Sequence, residues 1–519
     1  MYYKSFYNKK LNYLHHDNKN NKLVINKSEI ILLKVNTYDL INKLDFSEFV
    51  NLKSLYLDSN KITKILNFSS LCKLELLDYS GSEFNNLIDL SSLTNLTELI
   101  YNRTNDNNND NDNNKLPDLS KLKKLQVFKC YGNRLSELPD LSKCVNLKYL
   151  SCYYNNLTKL PDLSKCIKLE TINCCSNKLT ELPDLSRLTK LIYLNCSCNN
   201  LTQLSDLCKL KKLEYLNCSI NQLIELPNLD NLKKLENLNC YNNQLTTLPN
   251  LYKLQKLIYL ECSYNQLTEL PNLSGCLNLK ELTCNNNKIT KLPNLSNCVK
   301  LKYLYCNNNE LTELPYLSKL NKLDVLNCSY NKLILLPELK LNNLSRLYCN
   351  DNELIRLPNL SELKNIEFID CYNNKLTELP DLSKLNKLIL FNCYTNKLTK
   401  LPNLSGLKSI NYLHFDNNLL TELPDLSNLH TLHNLYISYN KITKLPNLSG
   451  LYNICNIECN NNKLFSLPKT ITQCKKIKYY KKYKLYKRLD TLTIILNNLI
   501  KNYYYYNIMK YYNKKFLNI

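Results

Sequence analysis

The chain has 519 residues, 24 cysteines, only 5 glycines, no alanine or tryptophan, and a formal net charge of +23. Its bias toward Lys, Asn, Tyr and Ile favours an AT-rich coding genome, as in some protists and giant DNA viruses. The sequence shows no export signal and no small disulfide-linked domain, so we exclude a secreted disulfide scaffold. No apolar run approaches the roughly 20 residues of a membrane span. We therefore expect a cytoplasmic protein, in the host-cell cytoplasm if the source is viral.

A repeated unit follows a polar, basic flank at residues 1–29. The segments that begin at Leu147 and Leu213 read LKYLSCYYNNLTKLPDLSKCIK and LEYLNCSINQLIELPNLDNLKK, and they share the pattern LxxLxCxxNxLTxLPxLSxLxx. We call the sixth residue of the pattern the anchor. The anchors are Leu57, Tyr79, Tyr101, Cys130, Cys152, Cys174, Cys196, Cys218, Cys240, Cys262, Cys284, Cys306, Cys328, Cys349, Cys371, Cys393, Phe415, Ile437 and Cys459. With a degenerate copy near Ile30, about twenty repeats are predicted over residues 30–474.

The anchors are 22 residues apart except at two steps. Tyr101 and Cys130 are separated by 29 residues, because an acidic, Asn-rich insertion at 104–115 lies between them. Its composition predicts a disordered loop. Cys328 and Cys349 are 21 residues apart. A short unit of nearly constant length predicts coils that stack side by side, not separate globular domains.

Polar and apolar residues alternate around each anchor. In one copy Leu150 and Cys152 alternate with Tyr149, Ser151 and Tyr153, which is the period of a half-buried strand. One strand per copy predicts a parallel sheet. On the remaining arc apolar residues recur every three positions, which favours extended or 3₁₀ structure over a full α-helix.

Asparagine and proline mark the turns of each copy. Asparagine stands three residues after the anchor in 17 of 19 copies, the exceptions being Ser82 and Thr104. Its amide is predicted to bond unpaired backbone groups of the turn, repeating from coil to coil as a ladder. All 16 prolines, from Pro117 to Pro468, share one position. That position must lie off the sheet, because proline has no N–H to donate.

This pattern resembles that of the leucine-rich-repeat superfamily. The hallmark LxxLxLxxNxL is matched with Cys at the third leucine position over residues 30 to about 474. The 22-residue length and the Leu-Pro step are most similar to the internalin-like, bacterial-type subclass. The resemblance implies an α/β-type solenoid: a horseshoe with a parallel sheet on its concave face, an extended or 3₁₀ convex arc with few full α-helices, and a protein-binding role.

We define the concave face by four residues of each copy. They are the third residue before the anchor, the residue directly before it, the residue directly after it and the second residue after it. Tyr, Asn and Ser dominate these positions, as they do in antibody loops. Carboxylates outnumber cations there, which disfavours nucleic acid. Codon bias alone is the alternative explanation for the abundant Tyr and Asn. The residues predicted to contact an unidentified protein partner are Tyr149, Tyr153, Tyr193, Tyr215, Tyr259, Glu261, Tyr303, Tyr305, Tyr348, Phe368, Tyr372, Tyr412 and Tyr436.

Nothing in the sequence predicts catalysis. The cysteine anchors are predicted to be reduced, inert core thiols. Cys175 and Cys198 lie outside the core but lack the four ligands of a structural zinc. His414 is predicted to be a surface imidazole without the partners of a catalytic triad. We therefore predict no enzyme activity, cofactor, metal or small-molecule substrate.

The basic end of the chain, residues 475–519, is predicted to form a cap and tail. Leu485, Leu489, Leu492 and Leu496 are spaced as one stripe of an amphipathic helix. Cations mixed with tyrosines are typical of single-strand nucleic-acid binders and would also suit an anionic membrane. A tether to nucleic acid or membrane through this segment alone is therefore the alternative function, and a solvated, partly disordered end is the simpler interpretation.

Overall fold

The computed structural model describes residues 27–35, 45–57, 68–80, 89–102, 116–465 and 476–478. Within these ranges the chain forms 21 strands and two short 3₁₀ helices, Lys27–Glu29 and Phe46–Glu48, and no α-helix. The strands are β1 (Leu32–Val35), β2 (Ser54–Leu57), β3 (Leu76–Asp78), β4 (Glu98–Ile100), β5 (Val127–Lys129), β6 (Tyr149–Ser151), β7 (Thr171–Asn173), β8 (Tyr193–Asn195), β9 (Tyr215–Asn217), β10 (Asn237–Asn239), β11 (Tyr259–Glu261), β12 (Glu281–Thr283), β13 (Tyr303–Tyr305), β14 (Val325–Asn327), β15 (Arg346–Tyr348), β16 (Phe368–Asp370), β17 (Leu390–Asn392), β18 (Tyr412–His414), β19 (Asn434–Tyr436), β20 (Asn456–Glu458) and β21 (Lys476–Lys478).

Each strand pairs in parallel with the next strand along the chain, so that one continuous sheet runs from β1 to β21. Equivalent residues face each other: Leu150 lies opposite Ile172, and Ile172 lies opposite Leu194. The last strand continues the sheet past residue 474, the predicted end of the repeats. The parallel sheet confirms the predicted solenoid.

Leucines and cysteines fill the interior. The middle residue of each short strand points inward, as Leu150 does in β6, and the anchor that follows it points the same way. Both Leu150 and Cys152 are fully buried, and the most exposed anchor, Tyr101, has only 7% of its surface accessible. Each coil is covered only by its neighbours, so the core is shared and stability is collective.

The arc that returns the chain from one strand to the next consists of tight turns. The N–H of Cys144 donates to the carbonyl of Leu141 at 2.9 Å, and the N–H of Leu147 donates to the carbonyl of Cys144 at 3.0 Å. Equivalent bonds between residues three apart recur in later copies. These are 3₁₀-type bonds, which confirms the predicted arc.

Both departures from the 22-residue spacing leave the sheet intact. Leu99 lies opposite Phe128 across the 29-residue step. Leu326 lies opposite Leu347 across the 21-residue step. In this short copy the arc keeps a single turn, at 342–343, where other copies have two. The sheet register therefore tolerates changes in loop length, because those changes are confined to the segments between strands.

The predicted asparagine ladder is confirmed. Nδ2 of Asn199 donates to the carbonyl of its own anchor, Cys196, at 3.0 Å and to that of the preceding anchor, Cys174, at 3.1 Å. Its Oδ1 accepts from the N–H of Leu179 in the preceding coil at 3.0 Å. Each asparagine thus bonds two coils, which explains why this position accepts no other residue type in the described copies from Cys130 onward.

The residue two after the anchor turns the chain at the edge of the sheet. From Gly132 to Asn461 it adopts a left-handed backbone in every copy, with φ between 49° and 73°. This conformation suits Gly and Asn and strains β-branched residues. Asparagine fills the position six times, but Ile220 and Thr395 also occupy it.

Three predictions lie outside the described residues. They concern most of the flank at 1–29, the insertion at 104–115, and the cap and tail at 475–519 apart from β21. The amphipathic helix through Leu485 and Leu496 therefore stays a prediction.

Candidate functional site

The concave face is the outward side of the sheet. In β8 the middle residue Leu194 is buried, whereas the residues on either side of it are partly exposed. Because the strands are in register, one position of successive copies forms a row. Tyr193 lies opposite Tyr215, Tyr215 opposite Asn237, and Asn237 opposite Tyr259.

Neighbouring tyrosines of this face stack on each other. The ring centroids of Tyr193 and Tyr215 are 4.4 Å apart with planes 7° from parallel. Tyr131 and Tyr153 are also 4.4 Å apart, with planes at 9°. The spacing of strands, about 4.8 Å, is close to the stacking distance of rings. The register therefore orders these side chains before any partner binds, which lowers the entropy lost on binding.

From β6 to β20, charge divides the concave face into two halves. The neutral half, β6 to β10, has no charged residue at the four outward positions, and a row of asparagines crosses it. The row is Asn173, Asn195, Asn217 and Asn239. The acidic half, β11 to β20, carries six carboxylates and one cation, Arg346. The carboxylates are Glu261, Glu281, Asp351, Asp370, Asp416 and Glu458.

Two tyrosines meet across an intervening coil in the acidic half. The hydroxyl oxygens of Tyr330 and Tyr372 are 3.0 Å apart. On the coil between them, the Asp351 carboxylate accepts from Nδ2 of Asn350 at 2.8 Å and from Nδ2 of Asn373. These bonds hold the carboxylate of Asp351 in place beside the tyrosine pair.

Asp370 lies on β16 with one carboxylate oxygen enclosed. Its Oδ1 has no hydrogen-bond partner among the residues that the structure describes. Burial raises the pKa of Asp370 to about 7, and the negative charge of Asp351 acts in the same direction, whereas a bond from the backbone N–H of Tyr372 opposes it. This carboxyl group therefore exchanges its proton near neutral pH.

His414 is not the surface imidazole predicted from the sequence. It is only 4% exposed. Its ring lies 5.1 Å from the ring of Tyr394 and 5.0 Å from that of Tyr436, measured between centroids. Its Nε2 is 3.1 Å from Oδ2 of Asp416, outside hydrogen-bond geometry. The prediction is wrong because tyrosines on both adjacent coils cover the imidazole.

The anchor thiols are enclosed and unbridged. Burial raises the pKa of Cys196 and Cys218 well above the ordinary value for a thiol. Sγ of Cys196 lies 3.4 Å from the carbonyl oxygen of Asn217, and all 23 cysteines of the described residues are free. Cys175 and Cys198 are partly exposed. In the described part of the chain, no group of three or more His, Cys, Asp or Glu side chains is placed to hold a metal ion.

Eleven of the thirteen predicted contact residues are partly exposed. They are Tyr149, Tyr153, Tyr193, Tyr259, Tyr303, Tyr305, Tyr348, Phe368, Tyr372, Tyr412 and Tyr436. The other two, Tyr215 and Glu261, are 5% and 8% exposed. The Glu261 carboxylate accepts from the backbone N–H of Ser263 at 2.9 Å. Both residues therefore support their neighbours in the row more than they offer surface to a partner.

Sequence reasoning missed Tyr330 and the protonation of Asp370. Tyr330 occupies the left-handed position two after its anchor, and Tyr372 follows its own anchor directly. The repeat register places both at the same edge of the sheet, so their proximity could have been inferred. The pKa of Asp370 depends on how closely its neighbours enclose it, which no sequence pattern reports.

These observations define a repeat solenoid of stacked strands and 3₁₀ turns. The family model for leucine-rich repeats in two copies matches residues 123–165, 145–187 and 255–297. The functional domain of InlJ from Listeria monocytogenes, described as including a cysteine ladder, is 31% identical, with 66% of this chain and 75% of that one covered and a TM-score of 0.57. The chain belongs to the leucine-rich-repeat family, and its repeats are of the internalin-like bacterial type.

Other solved structures share the fold. YopM from Yersinia enterocolitica WA-314 is 29% identical, with a TM-score of 0.64 over 81% of this chain and 91% of that one. The ectodomain of the Arabidopsis thaliana receptor kinase GASSHO1/SCHENGEN3, solved with Casparian strip integrity factor 2, is 25% identical, with a TM-score of 0.64 over 83% of this chain and 56% of that one. A comparison with curated proteins found no match.

The described residues contain no helix long and apolar enough to cross a membrane.

Proposed function

We propose that this protein is a non-catalytic scaffold that binds a partner protein through its concave face. The observation that carries the proposal is the row of ordered tyrosines in register on the sheet, with Tyr193 and Tyr215 stacked at 4.4 Å. Tyrosine presents a large contact area at low entropy cost, and the Asn and Ser beside it supply adaptable hydrogen bonds. The fold supports the proposal by analogy, since the receptor ectodomain noted above was solved with a bound factor.

The thiols support a reducing compartment, such as the cytoplasm, as the working environment. Sγ of Cys371 and Sγ of Cys393 are 3.0 Å apart in the core, where one thiol donates a hydrogen bond to the other and no disulfide joins them. Closely spaced thiols stay reduced where glutathione and thioredoxin maintain them.

The test is affinity capture from the native cell with three forms of the full chain. The first is the unchanged protein, and the second carries Tyr259→Ala, Tyr303→Ala and Tyr305→Ala on the concave face. The third is a matched control with Tyr252→Ala, Tyr316→Ala and Tyr452→Ala, tyrosines of the arc that are 51%, 57% and 70% exposed.

We expect the captured proteins to be lost with the concave-face variant and retained with the control. Capture that persists with the concave-face variant would place the binding site elsewhere and overturn the proposal.

A further inference from the structure

The acidic half of the concave face contains unpaired hydrogen-bond acceptors. Oδ1 of Asp370 and Oδ1 of Asn456 are enclosed and lack a hydrogen-bond partner within the described ranges. Unpaired buried polar atoms destabilise a protein unless a ligand or water satisfies them. Lys and Arg side chains carry donors and no acceptors. A Lys or Arg side chain can pair such acceptors without leaving an acceptor of its own unpaired.

Aromatic rings lie among the carboxylates of this half. The rings of Tyr412 on β18 and Tyr436 on β19 are 5.1 Å apart between centroids. Asp416 follows β18, and Glu458 lies on β20. A guanidinium group pairs with a carboxylate in its plane and stacks on an aromatic ring with its face. The chain itself shows this contact on the same surface, because the guanidinium carbon of Arg346 lies 5.4 Å from the centre of the Phe368 ring.

We propose that the acidic half binds a Lys- and Arg-rich segment of the partner protein. This inference rests on the proposed function and adds the chemistry of the bound segment. Four carboxylates, Asp351, Asp370, Asp416 and Glu458, are distributed from β15 to β20. Five strand spacings of about 4.8 Å span roughly 24 Å, the length of about seven extended residues. A short extended basic segment thus matches both the charge and the length of this surface.

Among the described residues, the neutral half also has an enclosed unpaired acceptor, Oδ1 of Asn237 on β10, but it lacks the charge. Its four outward positions carry no carboxylate from β6 to β10. A nucleic acid does not fit the acidic half, because carboxylates repel phosphates. The two halves thus differ in what they bind: the neutral half offers tyrosine and asparagine contacts, and the acidic half selects for positive charge.

The test measures binding of a fluorescent peptide of alternating Arg and Ser to the full chain by fluorescence anisotropy. A peptide of alternating Glu and Ser serves as the negative probe. The test variant carries Asp351→Asn, Asp370→Asn, Asp416→Asn and Glu458→Gln. The matched control carries Asp140→Asn, Asp162→Asn, Asp184→Asn and Asp206→Asn, which removes four exposed carboxylates from the arc. At pH 8, where Asp370 is largely ionised, both variants change the net charge equally.

We expect the Arg/Ser peptide to bind the unchanged protein and the test variant to bind it at least about tenfold more weakly, as lost charge pairs predict. The control variant should retain its affinity. Equal losses in both variants would mean that net charge alone attracts the peptide, and this would overturn the proposal. Absence of binding to the unchanged protein, or binding of the Glu/Ser peptide, would also overturn it.

Single substitutions keep the proposal testable if the variant with four substitutions misfolds. Each of the four changes made alone should weaken binding by a smaller factor, with urea midpoints equal to or above that of the unchanged protein. Four single variants that all bind normally would contradict the proposal.

A further variant identifies the occupant. Lys481→Ser, Lys482→Ser, Lys484→Ser and Lys487→Ser remove cations of the basic tail. Unchanged peptide binding supports a partner segment. Tighter binding would show that the tail competes for the acidic half, which would overturn the assignment to a partner. Loss of capture in the tyrosine variants, with no effect of the carboxylate variant, would support the scaffold and reject the basic segment.

Discussion

Oδ1 of Asn177 accepts a hydrogen bond from the backbone N–H of Leu157, one coil earlier, at 3.0 Å. Nδ2 of the same side chain donates to the carbonyl oxygens of Cys152 at 3.0 Å and Cys174 at 3.1 Å. One buried amide thus pairs backbone groups of two coils. Its loss would leave donors and acceptors unpaired in both coils.

Replacement of this amide should destabilise the solenoid. We expect Asn177→Ala to lower the free energy of unfolding by about 3 kcal/mol, since each buried polar group left unpaired costs about 1–3 kcal/mol. The urea midpoint and the rate of limited proteolysis measure the effect. Asn231→Ala, at an exposed arc position, is the control and should leave both unchanged. Equal midpoints for the two variants would show that the ladder contributes little.

The left-handed turn position offers a stabilising change. Ile220 holds φ at 53°, a conformation that a β-branched residue adopts with strain. We expect Ile220→Asn to stabilise the protein by about 1 kcal/mol. The reverse change on the next coil, Asn242→Ile, is the matched control, because Asn242 has the same φ of 53°. It should destabilise by a similar amount, and urea midpoints that shift in the same direction for both variants would refute the strain argument.

The thiols should differ sharply in their reactivity. Cys72 and Cys455 are exposed, whereas the anchors are buried and burial raises the pKa of Cys218 well above its usual range. Because the thiolate is the reactive form, a maleimide at neutral pH should modify Cys72 and Cys455 first. Mass spectrometry after short exposure identifies the labelled peptides. Labelling in urea provides the reference for complete access, and early labelling of Cys218 in the native protein would contradict the assigned register.

The stability of the protein should depend on the protonation of Asp370. Its folded-state pKa of about 7 lies above the value near 4 of an unfolded chain. A carboxyl group with a raised pKa favours the folded state at low pH. That contribution falls as pH rises from about 4 and is lost above about pH 7.

Removal of this charge should therefore stabilise the protein at alkaline pH. We expect Asp370→Asn to raise the free energy of unfolding only slightly at pH 4.5. The increase should grow toward pH 7 and level off above it, at no more than about 4 kcal/mol. Thermal midpoints of the variant and the unchanged protein across this range measure it. Asp140→Asn, an exposed carboxyl on the arc, is the control. A gain that does not change with pH would contradict a raised pKa.

Much of the fold could be predicted because one unit is repeated. The alternation around Cys152 predicts a strand, the intervals of three predict 3₁₀ turns, and the constant asparagine predicts the ladder through residues such as Asn177. Each of these patterns reflects contacts within a coil or between identical positions of adjacent coils. Such contacts are set by the repeat length alone.

The candidate site was predictable only in part. The rows of outward residues follow from the register, and Tyr193 and Tyr259 are partly exposed as the definition of the face requires. The burial of Tyr215 and His414 was not predictable, because it depends on which side chains the adjacent coils supply.

By itself the sequence determined the architecture. A buried apolar side chain at every anchor, most often that of cysteine, and a bonding asparagine three residues after 17 of the 19 anchors leave stacked coils as the arrangement that pairs the backbone. Only the tertiary structure decided the properties of single side chains on the sheet. The meeting of the Tyr330 and Tyr372 hydroxyls at 3.0 Å and the proton held by Asp370 near neutral pH arise from neighbours supplied by different coils. Desolvation and charge act through space, and a repeat pattern records only what each coil shares with the next.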